Sequence, residues 1–178
     1  MKNKMVYDLA TAGMLFALGL TLPFLTGQIP EIGSMLLPMH IPALLAGFIL
    51  GWKYGLVIGA SVPIVRSLIF GVPALYPKAV TMSVELAAYA FFAALFFLII
   101  FKKKNLVTIY ASLILSMLIG RVIKGVVSAF LYGTADNPYT FSAFITGTFV
   151  EAVPGIILQL ILIPAILLAL KRAKLYKF

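Results

Sequence analysis

Residues 78–104 read KAVTMSVELAAYAFFAALFFLIIFKKK, an apolar stretch with a single glutamate near its start and three lysines at its end. A helix is predicted over 78–101, which at a rise of about 1.5 Å per residue is long enough to cross a hydrocarbon core about 30 Å thick. The chain of 178 residues follows this pattern throughout, because 63% of it is hydrophobic and only 11% is charged. Soluble domains are roughly 45–50% apolar and about 25% charged. The composition therefore excludes an ordinary soluble domain and places the chain in a bilayer.

Turn and charge signals divide the sequence into six predicted helices and leave no room for a second domain. We predict an all-α integral membrane protein, a single membrane domain over residues 1–178 that folds as a bundle of six transmembrane helices. The predicted helices span roughly 5–24, 35–51, 54–70, 78–101, 106–132 and 143–170. The second is short and has Pro38 and Pro42 near its start, so part of it is predicted to be interfacial or broken.

Most of the positive charge falls in one set of loops. If the amino terminus is cytoplasmic, the inner loops and the two ends hold ten of the fourteen basic residues, namely Lys2, Lys4, Lys53, Lys102, Lys103, Lys104, Lys171, Arg172, Lys174 and Lys177. The outer loops, 25–34, 71–77 and 133–142, contain no Lys or Arg. The positive-inside rule therefore predicts that both termini are cytoplasmic. The formal charge of +9 is a topology signal and does not indicate a nucleic-acid partner.

Seven charged residues remain within or beside the predicted helices, and any site chemistry must use them. They are Asp8, Arg66, Lys78, Glu85, Arg121, Lys124 and Glu151. A charge at the bilayer centre costs about 2.5–3.5 kcal/mol on insertion scales, so such residues normally face the bundle interior, a water-filled cavity or a partner. Five of them map to the outer half of the membrane: Arg66, Glu85, Arg121, Lys124 and Glu151.

Two interpretations of these charges stay open. In the first, Arg66, Arg121 and Lys124 pair with Glu85 and Glu151 only to hold the bundle together. In the second, the same five residues line a solute pocket open to the outside. Three basic groups outnumber two acidic ones, so this pocket is predicted to prefer an anion. A guanidinium is suited to that task because it holds a carboxylate with two parallel hydrogen bonds.

The predicted outer loops contribute further candidates. Segment 25–40 is long and rich in Gly and Pro, as lids often are, and is predicted to close over a bound molecule. Asn137 and Tyr139 are candidate solute contacts, although an ordinary turn residue or an interfacial aromatic is the commoner role for each. His40 is interpreted as a helix-entry residue.

Small residues recur at helical spacing, which allows helix backbones to approach closely. Gly47, Gly51 and Gly55 begin a run at every fourth residue that ends at Gly59, and their default role is packing within the bundle. Gly13 and Ala17 form a similar pair on the first helix. This pair is the candidate docking surface for a partner protein.

The residues resemble a known family. The run MHIPALLAGFILGWKYG at 39–55, followed by FGVP at 70–73 and MSVELAAY at 82–89, is similar to the substrate-binding S components of energy-coupling factor (ECF) transporters. Pro63, Arg66, the pair Gly120-Arg121 and the late Val153-Pro154-Gly155 fit the same pattern. The similarity covers nearly the whole chain and includes its size, its six predicted helices and its predicted inside termini.

The resemblance implies a binding subunit of a vitamin importer in a prokaryotic cell membrane. Such proteins hold a water-soluble vitamin in the outer half of the bundle, under the first outer loop, and release it inward by toppling on a coupling subunit driven by two ATPases. Their pocket maps here onto Glu85, Tyr89, Arg121, Lys124 and Glu151. Their helix 1 docks on the coupling subunit through an Ala-xxx-Ala pattern, for which this chain has Gly13 and Ala17.

This chain has no Gly-x-x-x-x-Gly-Lys-Ser/Thr run, so ATP is expected to be used by the partners and no cofactor is expected on this chain. The absence of Cys and the presence of a single His exclude a thiolate or multi-His metal site. Pantothenate is the first solute predicted, because the basic excess favours a carboxylate. A pyridoxine-type compound is next, with its ring on Tyr89 or Tyr139 and its hydroxyls near Arg121 and Glu151.

Two other classes of function are weighed against the importer. A proton-coupled carrier acting alone would use Glu85 or Glu151, but such carriers often show inverted repeats with broken helices, and none is found in this sequence. A small intramembrane enzyme would use the same carboxylates as acid or base. No metal cluster, Gly-x-Ser-x-Gly motif or Ser/His pair supports catalysis, so the protein is predicted not to be an enzyme.

Overall fold

The computed structural model of the protein describes residues 2–26, 29–101, 104–132, 146 and 152–176. These residues form helices and contain no strand. In chain order the helices are α1 Lys2–Thr21, α2 Pro30–Leu36, α3 His40–Leu50, α4 Trp52–Phe70, α5 Val80–Ala94, α6 Leu106–Tyr132 and α7 Val153–Arg172. A 3-10 turn, Leu22–Thr26, extends α1, and a π-helical turn, Leu95–Ile100, extends the end of α5. The segment Leu75–Ala79 leads into α5 across a kink at Tyr76, whose backbone is extended with φ −122° and ψ 137°.

Among the described residues, five helical stretches are long and apolar enough to cross a membrane, which agrees with the predicted multi-pass membrane protein. They are Lys4–Thr26, Trp52–Phe70, Leu75–Ile100, Leu106–Tyr132 and Val153–Arg172. The first four of these bounds lie within a few residues of predicted helices. The last predicted helix, 143–170, is seen from Val153 onward, and its residues 143–151 other than Thr146 lie outside the described part of the chain.

The predicted helix 35–51 is instead two helices. α2 ends at Leu36, and Leu37 takes a left-handed conformation with φ 51° immediately before Pro38. A residue that precedes proline is disfavoured in the right-handed helical region, which explains why the helix stops there. α3 then has 11 residues, or about 16 Å, half of what a span needs. The described residues therefore provide five candidate spans and one short apolar helix where six spans were predicted.

The short helix α3 lies inside the bundle. Every residue from His40 to Phe48 is buried, as expected of a helix that is apolar on all sides. It contacts α1, α4, α5 and α7, so neighbouring helices surround it along its length. Because α3 begins at His40, the first side chain of this central helix is a polar one.

Glycines let α3 and α4 pack on α5 at backbone distance. A Cβ built on Gly47 would lie 2.3 Å from the Ala90 carbonyl oxygen, and one on Gly59 would lie 2.6 Å from the Leu86 carbonyl oxygen. Gly55 is equally tight, with 2.9 Å to the Ala90 Cβ. The predicted packing role within the bundle is confirmed for these three glycines, all of which meet the stretch of α5 that carries Glu85.

We expect Gly59→Ala to lower the free energy of unfolding by about 1–3 kcal/mol, the usual cost of overpacking, because the new methyl group would overlap the Leu86 carbonyl. Thermal unfolding of the detergent-purified protein measures this. Gly13→Ala is the matched control, because a methyl group there meets no atom of the described residues within 4 Å. Equal melting temperatures for the two variants would contradict the backbone contact between α4 and α5.

Candidate functional site

Glu85 is a fully buried carboxylate on α5. Its relative exposure is 0%, and two basic groups lie against its Oε2 atom. The Lys124 Nζ atom is 2.8 Å away and the His40 Nε2 atom is 3.4 Å away. Removing a carboxylate from water costs several kcal/mol, which only close partners offset. The carboxylate therefore joins three helices, because His40 comes from α3 and Lys124 from α6.

A second basic residue of α6 lies beside this pair. Arg121 is three residues before Lys124, so the two share one face of the helix. Arg121 is 2% exposed and lies within electrostatic range of both Glu85 and His40. The predicted grouping of Glu85, Arg121 and Lys124 is thus observed in the structure.

Tyr89 lies one helical turn after Glu85 and is also fully buried. Its ring meets the His40 imidazole edge-on, with 5.4 Å between the centroids, and its hydroxyl lies next to Glu85 and Arg121. A glycine on α6 makes room for the ring, because a Cβ at Gly120 would lie 2.1 Å from the Tyr89 Cδ1 atom. The pair Gly120-Arg121 therefore places an aromatic ring beside a guanidinium.

We call His40, Glu85, Tyr89, Arg121 and Lys124 the Glu85 cluster. The buried polar atoms of the cluster that have no hydrogen-bond partner within the described residues include Glu85 Oε1, the Tyr89 hydroxyl and His40 Nδ1. Buried polar atoms nearly always have a hydrogen-bond partner. The cluster thus offers one acceptor, one hydroxyl and one imidazole nitrogen next to two basic side chains.

His40 is the member that the sequence interpretation missed. It is the first residue of α3, as the helix-entry interpretation expected, but its side chain also points to Glu85. It is 1% exposed. The sequence did contain a signal for this role. His40 is a lone polar side chain between apolar residues in a membrane segment, and such a side chain needs a partner inside the bundle.

Arg66 lies in a different environment. Its guanidinium donates a hydrogen bond from Nη1 to the Leu20 carbonyl oxygen at the end of α1. The guanidinium carbon is 4.9 Å from the Phe24 ring centroid and 5.2 Å from that of Phe70. Arg66 is 1% exposed, and neither ion pair that Glu85 makes among the described residues involves it. Its observed contacts fasten the end of α1 to α4.

The remaining candidates differ in what the structure says of them. Asn137, Tyr139 and Glu151 lie outside the described residues, so their predicted solute contacts stay predictions. Gly13 and Ala17 lie on α1 and are both exposed, which leaves that face of the helix open to a partner.

A groove of about 380 Å³ between α4 and α5 is separate from the Glu85 cluster. It is lined by Leu56, Ala60, Ile64, Ser83, Val84, Ala87, Ala88, Phe91 and Ile123. Helix positions two apart point to nearly opposite sides, so Ser83 and Ala87 face away from the side of α5 that carries Glu85. The lining is apolar apart from Ser83, which suits a surface in contact with lipid chains.

We expect Lys124→Met to lower the free energy of unfolding by about 3 kcal/mol, because it removes the closest counter-charge of the buried Glu85. The double variant Glu85→Gln/Lys124→Met should recover much of that loss, since neither charge then remains. Thermal unfolding of the two single variants and the double variant measures the coupling. Strictly additive losses would contradict an energetic pairing.

We expect Arg66→Gln to loosen the end of α1, because it removes a carbonyl hydrogen bond and two ring contacts, each of which contributes about 1 kcal/mol. Hydrogen–deuterium exchange over residues 18–26 should become roughly tenfold faster. Lys78→Gln is the control, because Lys78 is exposed. Unchanged exchange in Arg66→Gln would show that Arg66 does not hold the end of α1.

Comparison with known proteins agrees with the predicted resemblance. The family model for the ECF transporter, substrate-specific component, matches residues 7–167. No curated protein and no solved structure gives a significant match. The matched region includes every member of the Glu85 cluster, three of the five spans in full and most of the first and last spans. Because the match covers most of the chain, the protein belongs to the family of substrate-specific components of ECF transporters.

Proposed function

We propose that this chain is the high-affinity binding subunit of an ECF-type importer for a water-soluble vitamin or a related micronutrient, and that the Glu85 cluster is its solute site. The observation that carries the proposal is a fully buried carboxylate gathered with two basic side chains, an imidazole and a tyrosine from three helices. A membrane protein retains such costly groups where they serve a function.

The chemistry of the cluster supports a solute that is both anionic and rich in hydrogen-bonding groups. Among the described residues, Lys124 and Arg121 are two cations beside the single carboxylate of Glu85. In a low dielectric, a carboxylate on the solute would interact strongly with them. Glu85 Oε1 and the Tyr89 hydroxyl, which have no hydrogen-bond partner within the described residues, would bond hydroxyl or amide groups on the same molecule.

Pantothenate suits this description best, because it combines a carboxylate with an amide and two hydroxyls. A pyridoxine-type compound is the second candidate, since its ring would stack on Tyr89 while its hydroxyls meet the charged groups. Arg66, Asn137, Tyr139 and Glu151 are proposed as further contacts. For Arg66, such a contact would add to its observed interactions with α1 and α4.

The energy for transport is proposed to come from partners in the plasma membrane of a prokaryote. A transmembrane coupling subunit with two ATPases would hydrolyse ATP, and the solute would be released inward when this chain topples on the coupling subunit. Gly13 and Ala17 support α1 as the docking helix, because both are exposed and the space beside Gly13 is open within the described part of the chain.

The test is native mass spectrometry of the detergent-purified protein, followed by thermal unfolding with pantothenate, pyridoxine, riboflavin, thiamine, folate, biotin and niacin. A true solute at a thousand times its Kd should add about 4 kcal/mol of stability. Arg121→Ala should abolish that gain, whereas Lys78→Ala, which alters an exposed lysine, should leave it unchanged.

Two results would count against the proposal. A stabilising solute whose effect survives Arg121→Ala would place the site elsewhere. No stabilisation by any member of the panel, together with strong destabilisation by Lys124→Met, would favour the alternative in which the buried charges only hold the bundle together.

A further inference from the structure

The carboxyl end of α2 rests on the amino end of α7 without a side chain between them. A Cβ at Gly155 would lie 2.6 Å from the Met35 carbonyl oxygen and 2.9 Å from the Leu36 carbonyl carbon. Real Cβ atoms essentially never come that close to backbone, so only glycine allows α2 to occupy this position. The contact is backbone on backbone, and a side chain at position 155 would lift α2 off α7.

A tight turn connects this contact to the Glu85 cluster. Leu37 closes α2 by donating its backbone N–H to the Gly33 carbonyl oxygen at 3.0 Å. The His40 N–H then donates to the Leu37 carbonyl oxygen at 3.1 Å. Leu37 and Met39 are both buried, at 7% and 6% exposure. With hydrogen bonds at both of its ends and its side chains packed, the turn leaves little freedom for α2 to move without α3.

The side chain at the end of this turn belongs to the cluster. His40 Nε2 lies 3.4 Å from Glu85, and its ring packs edge-on against Tyr89. A displacement of α2 from Gly155 therefore pulls on the backbone of the residue whose imidazole touches Glu85. Coupling between two sites acts equally in both directions, so a coupling that runs from α2 to His40 also runs from His40 to α2.

We propose that Gly155 is a positioning residue for the Glu85 cluster, acting through α2 and the turn Leu37–His40 to hold the His40 imidazole against Glu85. The coupling is a property of the fold and does not depend on what binds. Its relevance to transport rests on the proposed function, in which the His40 imidazole belongs to the solute site.

The first arm of the test reads the cluster end of the turn after a change at Gly155. The natural chain has no cysteine, so Met39→Cys supplies a single, buried thiol beside His40. We expect Gly155→Ala to speed maleimide labelling of that thiol about tenfold in the purified protein. Gly13→Ala in the same Met39→Cys background is the matched control and should leave the rate unchanged.

The second arm runs in the opposite direction and does not require Gly155→Ala to fold. His40→Ala should speed hydrogen–deuterium exchange of the α2 amides 33–37 about tenfold, because it removes the contacts with Glu85 and Tyr89 that hold the turn. Exchange over 33–37 in Gly13→Ala should match that of the unaltered protein.

Two results would overturn the inference. One is a Gly155→Ala protein whose α2 amides exchange faster while Met39→Cys stays protected, because α2 would then move without the cluster. The other is unchanged α2 exchange in His40→Ala. Neither arm contains a solute, so failure of the solute panel would refute the proposed function and leave this coupling to be decided by its own measurements.

Discussion

The buried carboxylate of Glu85 is the constraint on which the rest of the bundle depends. A carboxylate without exposed surface in a bilayer needs a counter-charge and polar partners within a few ångströms. This chain supplies the cation from α6 through Lys124 and an imidazole from α3 through His40. Each contact dictates which face of its helix points inward. Once α3 and α6 are oriented towards α5, Arg121 and Tyr89 follow, because they lie one turn from Lys124 and Glu85 on the same faces.

Glycines supply the geometry that this electrostatic arrangement requires. Gly47 brings α3 onto the backbone of α5 at Ala90, and Gly59 brings α4 onto it at Leu86, next to Glu85. Gly120 leaves room for the Tyr89 ring to pack against α6, and Gly155 leaves room for the end of α2 to pack against α7. In a membrane, where lipid is as apolar as a leucine side chain, close backbone packing is a main source of helix association. The polar cluster and the small residues therefore act together. The cluster sets how each helix is rotated, and the small residues set the distance between helix backbones.

The basic side chains are divided between two tasks. The Arg66 guanidinium donates a hydrogen bond to the Leu20 carbonyl oxygen and packs against the Phe24 and Phe70 rings. It thereby gives the Leu20 carbonyl oxygen, near the end of α1, a charged hydrogen-bond donor. Lys124, by contrast, faces Glu85. In the described residues, one arginine thus stabilises the packing of α1 on α4, while the basic residues of α6 gather with the carboxylate.

The sequence by itself determined the membrane class, four of the long helices to within a few residues and the family, because hydropathy, loop charge and the run at 39–55 are properties of consecutive residues. It also identified Glu85, Arg121 and Lys124 as charged residues that lie inside predicted membrane helices and not in the loops. Only the tertiary structure decided that His40 is a partner of Glu85, that Arg66 fastens α1, and that α2 is seated on Gly155. Those pairings depend on which helices are neighbours and how each is rotated, and residues separated by dozens of positions carry no local pattern that reveals such contacts.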